Sequence, residues 1–307
     1  MKAFVFPGQG VQRQGMGQDL YNKSNVAREY FEYANEVLGR RITDIMFTGS
    51  EIELTETINT QPAVFILSVI MAMSQKDIQP DAVAGHSLGE FAALVVNNTI
   101  SFKDGLELVL NRAIIAQKVC ESQDTAMGAV IGLSDEYVEK RIKEIFEETG
   151  EPVYFANYNG PGQVVITGSK VGIRLACKAF KEEGAKRAVP LSISGSFHSP
   201  FMEDAKKELA VLINKTHFRH PEIPVFQCVD GKPHTDPNEI KQNLIEHITH
   251  PVLFTTMVGS MDEFGIKEYY EVGPDDTLQK IITRLCPDKK VTSLQEVYTN
   301  KNINKNI

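Results

Sequence analysis

One serine in this sequence stands where its hydroxyl could act as a nucleophile. Ser87 is the centre of Gly85-His86-Ser87-Leu88-Gly89, a G-x-S-x-G motif. The apolar run Ala82-Val83-Ala84 precedes it, and the helix formers Glu90, Phe91, Ala92, Ala93 and Leu94 follow. A serine at the tip of such a strand-to-helix turn has its neighbours two before and two after pressed together, where only glycine leaves room. The helix behind it directs free N–H groups and a positive dipole end at the same spot, which favours an oxyanion.

A serine needs a base, and seven histidines are available: His86, His198, His217, His220, His234, His247 and His250. His86 lies inside the turn and is directed elsewhere. His217, His220 and His234 fall in polar, proline-bordered segments that read as surface. His198, in the small-residue loop Ser192-Ile193-Ser194-Gly195-Ser196-Phe197-His198-Ser199-Pro200, is the best candidate, although a loop histidine is more often a solvated one. Arg112 sits among Leu108, Val109, Leu110, Ala113, Ile114 and Ile115, so its charge must either reach water or meet an anion. Taken alone, snorkelling or a structural ion pair is the commoner outcome. Gln9 follows the strand Ala3–Phe6 through Pro7-Gly8, at the kind of strand end where open α/β sheets bind ligands. It reads equally well as a solvent-facing loop residue.

These residues need elements to hold them. Helical periodicity marks Asp19–Leu38, and Pro62–Met73 is apolar almost all round, hence buried, with Gln61 at its start. A long helix spans Lys103–Cys120 and carries Arg112. From Ala126 to Leu191 the order becomes βαββαβ: strand Ala126–Leu133, helix Asp135–Glu148, strands Val153–Tyr158 and Gln163–Thr167 around Asn159-Gly160-Pro161-Gly162, helix Val171–Glu183, strand Lys186–Leu191. That order is the ferredoxin-like pattern, so residues 126–191 read as a small inserted subdomain. Residues 1–125 and 192–307 then form the larger α/β unit. A helix at Phe201–Lys215 and strands at Ile223–Val229 and Lys267–Val272 complete it, and the polar tail from Thr299 reads as frayed.

With 307 residues, 42% of them hydrophobic, the chain can bury a sizeable core. A formal charge of -8 and the lack of a basic stripe argue against nucleic acid as a partner. The four cysteines are far apart, with no CxxC pair and no zinc-type spacing, and read as reduced thiols of a cytoplasmic protein. Pro7 interrupts the N-terminus too early for a signal peptide, and no run of eighteen apolar residues predicts a membrane span.

Taken together, VFPGQG, TQPA, GHSLGE, an arginine 25 positions after the serine, NGPGQVVITG, SFHSPFM, and PVLF followed by YEVGP are similar to the malonyl-CoA:acyl-carrier-protein transacylase family over about Lys2 to Leu285. The resemblance implies an α/β-hydrolase-like large subdomain with an inserted ferredoxin-like one. It implies Ser87 as nucleophile, His198 as base, and the backbone N–H groups of Leu88 and Gln9 as oxyanion hole. Arg112 would take the free malonyl carboxylate through two parallel hydrogen bonds, which a lysine cannot reproduce. Gln61 and His86 would line the pocket, with Asn157 or Asn159 on its small-domain wall and Phe197 restricting the α-substituent. No triad acid is implied, because a backbone carbonyl within Ile245–His250 would orient the base. In that segment His247 stands where the family commonly has glutamine.

The expected activity is transfer of malonyl from malonyl-CoA to an acyl carrier protein in fatty acid or polyketide synthesis, by a monomer needing no metal and no bound cofactor, with CoA only as substrate. An acyl hydrolase of the same fold is the rival expectation, and a non-catalytic module that docks carrier proteins is a third.

Overall fold

The computed structural model describes residues 1–296, with the side chains of 192–194 left aside. The expected fray from Thr299 lies outside the described residues. The chain is mixed α/β. Strand β1 (Lys2–Phe6) leads to helices α1 (Gln18–Lys23), α2 (Asn25–Leu38), α3 (Ile42–Thr48), α4 (Glu51–Thr55) and α5 (Thr57–Ser74). Then come β2 (Ala82–Gly85), α6 (Gly89–Val96) and α7 (Phe102–Glu121). A second series follows: β3 (Thr125–Ile131), α8 (Asp135–Thr149), β4 (Val153–Gly160), β5 (Gln163–Ser169), α9 (Lys170–Glu182) and β6 (Arg187–Ser194). After a 3-10 turn (Pro200–Met202) come α10 (Glu203–Lys215), β7 (Val225–Phe226), β8 (Pro233–His234), α11 (Pro237–Glu246), α12 (Phe254–Phe264), β9 (Glu268–Glu271), α13 (Thr277–Leu285) and β10 (Lys290–Ser293).

Among the described residues the strands form two sheets. The six-stranded sheet has the order β10-β9-β1-β2-β7-β8 and is parallel apart from the β7–β8 pair. Its central strands bury both faces, as parallel sheets do. Alternation along β1 sends Phe4 and Phe6 into one apolar core with α5, α6 and α7, while Ala3 and Val5 join Phe254, Met257 and Ile282 on the other side. The four-stranded sheet, order β4-β5-β3-β6, is antiparallel throughout and packs α8 and α9 over a third core around Val130, Ile142, Ile166 and Phe180.

Several expectations need correction. The helical stretch Asp19–Leu38 is broken at Ser24, whose hydroxyl accepts the Ala27 N–H and starts a new helix. The helix expected from Pro62 begins instead at Thr57, with Pro62 inside it. Proline leaves the carbonyl four residues back without its donor. Here the Arg40 guanidinium donates to that Ile58 carbonyl at 2.8 Å, which is why the helix survives. The same helix is long enough and on average apolar enough to cross a membrane, although polar residues such as Asn59, Gln61 and Ser68 interrupt it, and 78% of it is buried within the protein. β4 runs on to Gly160, which places Asn159 in a strand and leaves Pro161-Gly162 as the turn. Ile223–Val229 contributes only the two residues of β7.

Candidate active site

The carboxyl ends of β1 and β2 lie side by side, and the loops that leave them carry Gln9 and Ser87. Ser87 has a positive φ of 52°, a strained value for a residue with a side chain. Its flanking glycines are forced by contact. A Cβ on Gly85 would fall 2.1 Å from the Gly89 carbonyl carbon, and one on Gly89 would fall 2.0 Å from the Phe6 carbonyl oxygen. The two strand ends therefore interlock through glycine. Among the described residues, the backbone N–H groups of Leu88 and Gln9 make no hydrogen bond, so both remain free for an acceptor.

His198 closes on the serine from the far side of the chain. Ser87 Oγ and His198 Nε2 are 2.7 Å apart, and His198 Nδ1 lies 3.1 Å from the carbonyls of both His247 and His250. Two carbonyl acceptors require the proton on Nδ1, which leaves Nε2 as the lone-pair end facing the hydroxyl. Neither is the loop solvated, since His198 is only 2% exposed. Burial first, and the Arg112 charge second, lower its pKa to about 3. The imidazole is thus neutral and ready to accept a proton at any ordinary pH.

Arg112 does not snorkel. It is 1% exposed, and its guanidinium carbon lies 5.3 Å from the Phe197 ring centre and 5.9 Å from that of Phe91. Nη1 donates to Gln61 Oε1 at 2.7 Å and Nη2 to Ser87 Oγ at a long 3.4 Å, while Gln61 Nε2 donates to Gln9 Oε1 at 3.2 Å. No carboxylate pairs with Arg112 among the described residues, and its Nε is buried without a partner. Burial pulls its pKa down to about 10, so it is still a cation at neutral pH. A charged group held without a counter-ion, within reach of the nucleophile, is a receptor for an anion.

The other expected residues fall around this centre. His86 turns away from the serine, as expected, and donates from Nε2 to Asn159 Oδ1 at 2.8 Å while its ring meets Phe254 edge-on; burial lowers its pKa. Asn157 is buried and bridges to Val252, so β4 braces the segment whose carbonyls hold His198. Phe197 packs beside Arg112. The His247 ring lies 5.2 Å from that of His198, and burial drives its pKa well below the usual range. Gln9 and Phe197 open into a cleft of about 870 Å³ that also touches Gln117, Cys120, Lys170 and Leu191, room for an extended thiol arm. A second cavity of about 500 Å³, between Arg13, Leu20, Leu67 and Met71, holds none of these residues. Sequence reading missed the aromatic seat that Phe91 gives Arg112, since Phe91 reads simply as helix core. It also missed that Glu90 is buried under the turn, where it accepts the Cys228 N–H at 2.8 Å and the Gln227 side-chain amide at 2.9 Å. Of the surface histidines, His234 is partly enclosed and bonded to Asp230 and Glu239.

A hydroxyl on a strand-to-helix turn, a buried neutral imidazole and two free amides make a serine enzyme of the acyl-transfer class. A family model described as an acyl transferase domain matches residues 3–300, and the chain belongs to that family. It is 36% identical over 299 residues to a malonyl CoA-acyl carrier protein transacylase of Bacillus subtilis, covering 97% of this chain and 94% of that protein. Among solved structures, an acyl carrier protein S-malonyltransferase of Vibrio cholerae superposes with a TM-score of 0.90 at 38% identity, over 95% of this chain and 96% of the other. A malonyl-transacylase in complex with a type II polyketide-synthase acyl carrier protein gives a TM-score of 0.90 at 35% identity, over 95% and 94%.

Proposed function

We propose that this protein is a malonyl-CoA:acyl-carrier-protein acyltransferase that carries the malonyl group as an ester on Ser87. The observation that carries the reading is Arg112, a buried cation beside the nucleophile with no counter-ion among the described residues. In the first half-reaction Ser87 Oγ attacks the thioester carbonyl of malonyl-CoA and its proton passes to His198 Nε2. The oxyanion meets the N–H groups of Leu88 and Gln9. Collapse breaks the carbon–sulfur bond, and CoA leaves with the proton from His198. In the second half the phosphopantetheine thiol of the carrier protein gives its proton to His198, attacks the seryl ester and leaves as the malonyl thioester, restoring the hydroxyl.

Arg112 holds the distal malonyl carboxylate, and Gln61 fixes the guanidinium by its 2.7 Å bond. His86, Asn157 and Asn159 form the wall toward β4, and Phe197 limits the α-substituent. The His247 backbone carbonyl keeps His198 in its tautomer. The chemistry calls for no metal and no bound cofactor, since CoA is a substrate. An acyl hydrolase for uncharged chains would gain nothing from Arg112, and a non-catalytic docking module would not need the 2.7 Å serine–histidine pair. The cytoplasm, where CoA esters and carrier proteins meet, is the proposed location, with the protein acting as a monomer. The finer architecture belongs to the same proposal: an α/β-hydrolase-like unit of residues 1–125 and 192–307, and a ferredoxin-like unit of 126–191. The strand order β4-β5-β3-β6 with both helices on one face supports the latter.

The test is a ratio. Arg112→Ala leaves the malonyl carboxylate buried and unpaired, a loss of about 3–5 kcal/mol, or roughly a 10²- to 10³-fold or greater fall in kcat/KM for malonyl-CoA. Acetyl-CoA, lacking that carboxylate, should be used as well as before or better. Equal losses with both esters would make Arg112 a structural residue and remove the main support for malonyl as the substrate.

A further inference from the structure

Beneath the nucleophile turn, three side chains that the acyl transfer does not use come together. Glu90 is in the first turn of α6, Cys228 lies just beyond β7, and His247 follows α11. All three are buried, and one donor atom from each lies within 4.8 Å of the others. The Glu90 oxygens accept from Gln227 and from the Cys228 N–H, at 2.9 and 2.8 Å, and the Cys228 thiol donates to the Gly85 carbonyl at 3.0 Å. His247 is different. Its Nε2 is buried, 1% of the residue is exposed, and no hydrogen-bond partner among the described residues meets that nitrogen. A buried imidazole nitrogen in this position lacks a ligand.

We infer that Glu90, Cys228 and His247 form a binding site for a thiophilic divalent ion of the zinc or cobalt kind, and that filling it inhibits acyl transfer. Thiolate, imidazole and carboxylate are together the donor set of zinc, and the soft sulfur selects against magnesium and calcium. The Gly85 carbonyl, already 3.0 Å from the sulfur, is at hand as a fourth donor. Donors about 2.0–2.3 Å from a tetrahedral ion sit closer together than the 4.8 Å spread here, so binding draws them inward by about 1 Å. A sulfur–metal bond forms, the S–H bond breaks, and the proton goes to solvent.

Two of the ligands belong to parts that set the reacting geometry. Glu90 is in the helix whose start carries Ser87, and the backbone carbonyl of His247 stands 3.1 Å from His198 Nδ1. Drawing the two together alters the 2.7 Å serine–histidine contact. Because every donor is buried, the ion enters slowly and inhibition develops over time. The inhibition rests on the proposed use of the serine–histidine pair, whereas ion binding needs neither that pair nor a malonyl substrate, so binding is tested apart from the activity.

The test uses the full chain after chelator treatment. Cobalt(II) titration should give a thiolate-to-metal charge-transfer band that saturates at one equivalent. Preincubation with zinc should slowly abolish malonyl transfer, and EDTA should restore it. Cys228→Ser should lose the band, and its ratio of activity with zinc to activity without zinc should exceed that of the wild type by at least about tenfold. His247→Gln should weaken cobalt binding by at least the roughly 100-fold that outer-shell partners alone can cost. Should Cys228→Ser fail to fold, the His247→Gln titration decides the matter. Cys120→Ser, which removes the half-buried thiol of the cleft, should leave the band in place. Absence of a band in the wild type would overturn the proposal. So would a band that survives Cys228→Ser, a cobalt affinity unchanged in His247→Gln, a band lost with Cys120→Ser, or zinc inhibition equally strong in Cys228→Ser.

Discussion

At the edge of the parallel sheet the reacting groups are held by backbone: the turn of Ser87 is packed so closely that a Cβ on Gly85 or Gly89 would fall 2.0 Å from a backbone atom, and two carbonyls at 3.1 Å fix His198. The antiparallel sheet touches the same site more lightly. At the reacting groups its share is one side-chain hydrogen bond, between Asn159 and His86; its backbone bonds, Tyr158 N–H to the Val252 carbonyl at 2.9 Å and Val252 N–H to the Ala156 carbonyl at 2.8 Å, reach only the segment behind His198. Backbone geometry cannot drift with a rotamer, whereas side-chain contacts can be rebuilt. The first region is therefore built for chemistry that must not move, and the second for a wall that can vary with what binds.

The largest expected effect falls on the first region. His198→Ala should lower acyl transfer by about 10²- to 10⁴-fold, the range for a general base. With backbone carbonyls as its orienting groups, no single Asp or Glu substitution should match it, and a well-folded carboxylate variant equally inactive would break the comparison.

Glycine contrasts two places next, the nucleophile turn and the end of β4; within β5, Gly168 is enclosed as tightly as Gly85, since a Cβ there would fall 2.2 Å from the Pro152 carbonyl oxygen. Gly85→Ala drives a methyl into the Glu90 N–H at 2.0 Å and should cost about 3 kcal/mol or more. At Gly160 in β4 the new Cβ meets only Leu285, at 3.9 Å, and the change should stay within about 0.5 kcal/mol. Urea midpoints of the two variants measure this directly, and similar losses would contradict the claim that the nucleophile turn is the less tolerant of these two places.

The pH profile sharpens the account of the base. Because the His198 pKa is lowered to about 3, kcat/KM should show no acid limb at the ordinary histidine value of 6.5. Arg112 is the second cause of that lowering, so Arg112→Ala should move the limb upward, though burial keeps it below 6.5. For stability the sign is opposite to that of a histidine gaining a partner. The unfolded chain takes up this proton below 6.5 and the folded one only near 3, so His198 weakens the fold as pH falls through that window. A limb at 6.5 in the wild type would mean that His198 is hydrated in solution.

Asn159→Ala should have the smallest effect. Losing one neutral hydrogen bond to His86 is worth about 1 kcal/mol, roughly fivefold in kcat/KM. A loss as large as that of His198→Ala would show that the antiparallel sheet shares in the chemistry.

What could be read from the chain follows the same division. The nucleophile turn, the two long helices around Pro62 and Arg112 and the βαββαβ order are local patterns, and each left a local signal. Arg112 itself misled when read alone, because the aromatic seat that keeps it from water comes partly from Phe197, far along the chain. Pro62 suggested a helix start because its substitute donor, Arg40, belongs to another segment. The strand expected at Ile223–Val229 stops at Phe226, past which the Gln227 N–H turns to the Lys232 carbonyl and the Cys228 N–H to Glu90 of another segment. The Glu90, Cys228 and His247 cluster had no spacing to betray it. Folding alone makes these residues neighbours.

Gly195 shows what this arrangement permits over longer times. A Cβ there would lie 1.9 Å from the sulfur of Cys120, so the chain leaving α7 for the antiparallel sheet and the chain returning from it toward His198 are clasped together. The excursion through residues 125–194 begins and ends at nearly one point. Mutations within it, even insertions in its turns, can accumulate without changing the distance between the helix of Arg112 and the loop of His198. Natural variation in this family should then be freest inside the excursion and tightest at its clasp, where Gly195 leaves no choice of residue.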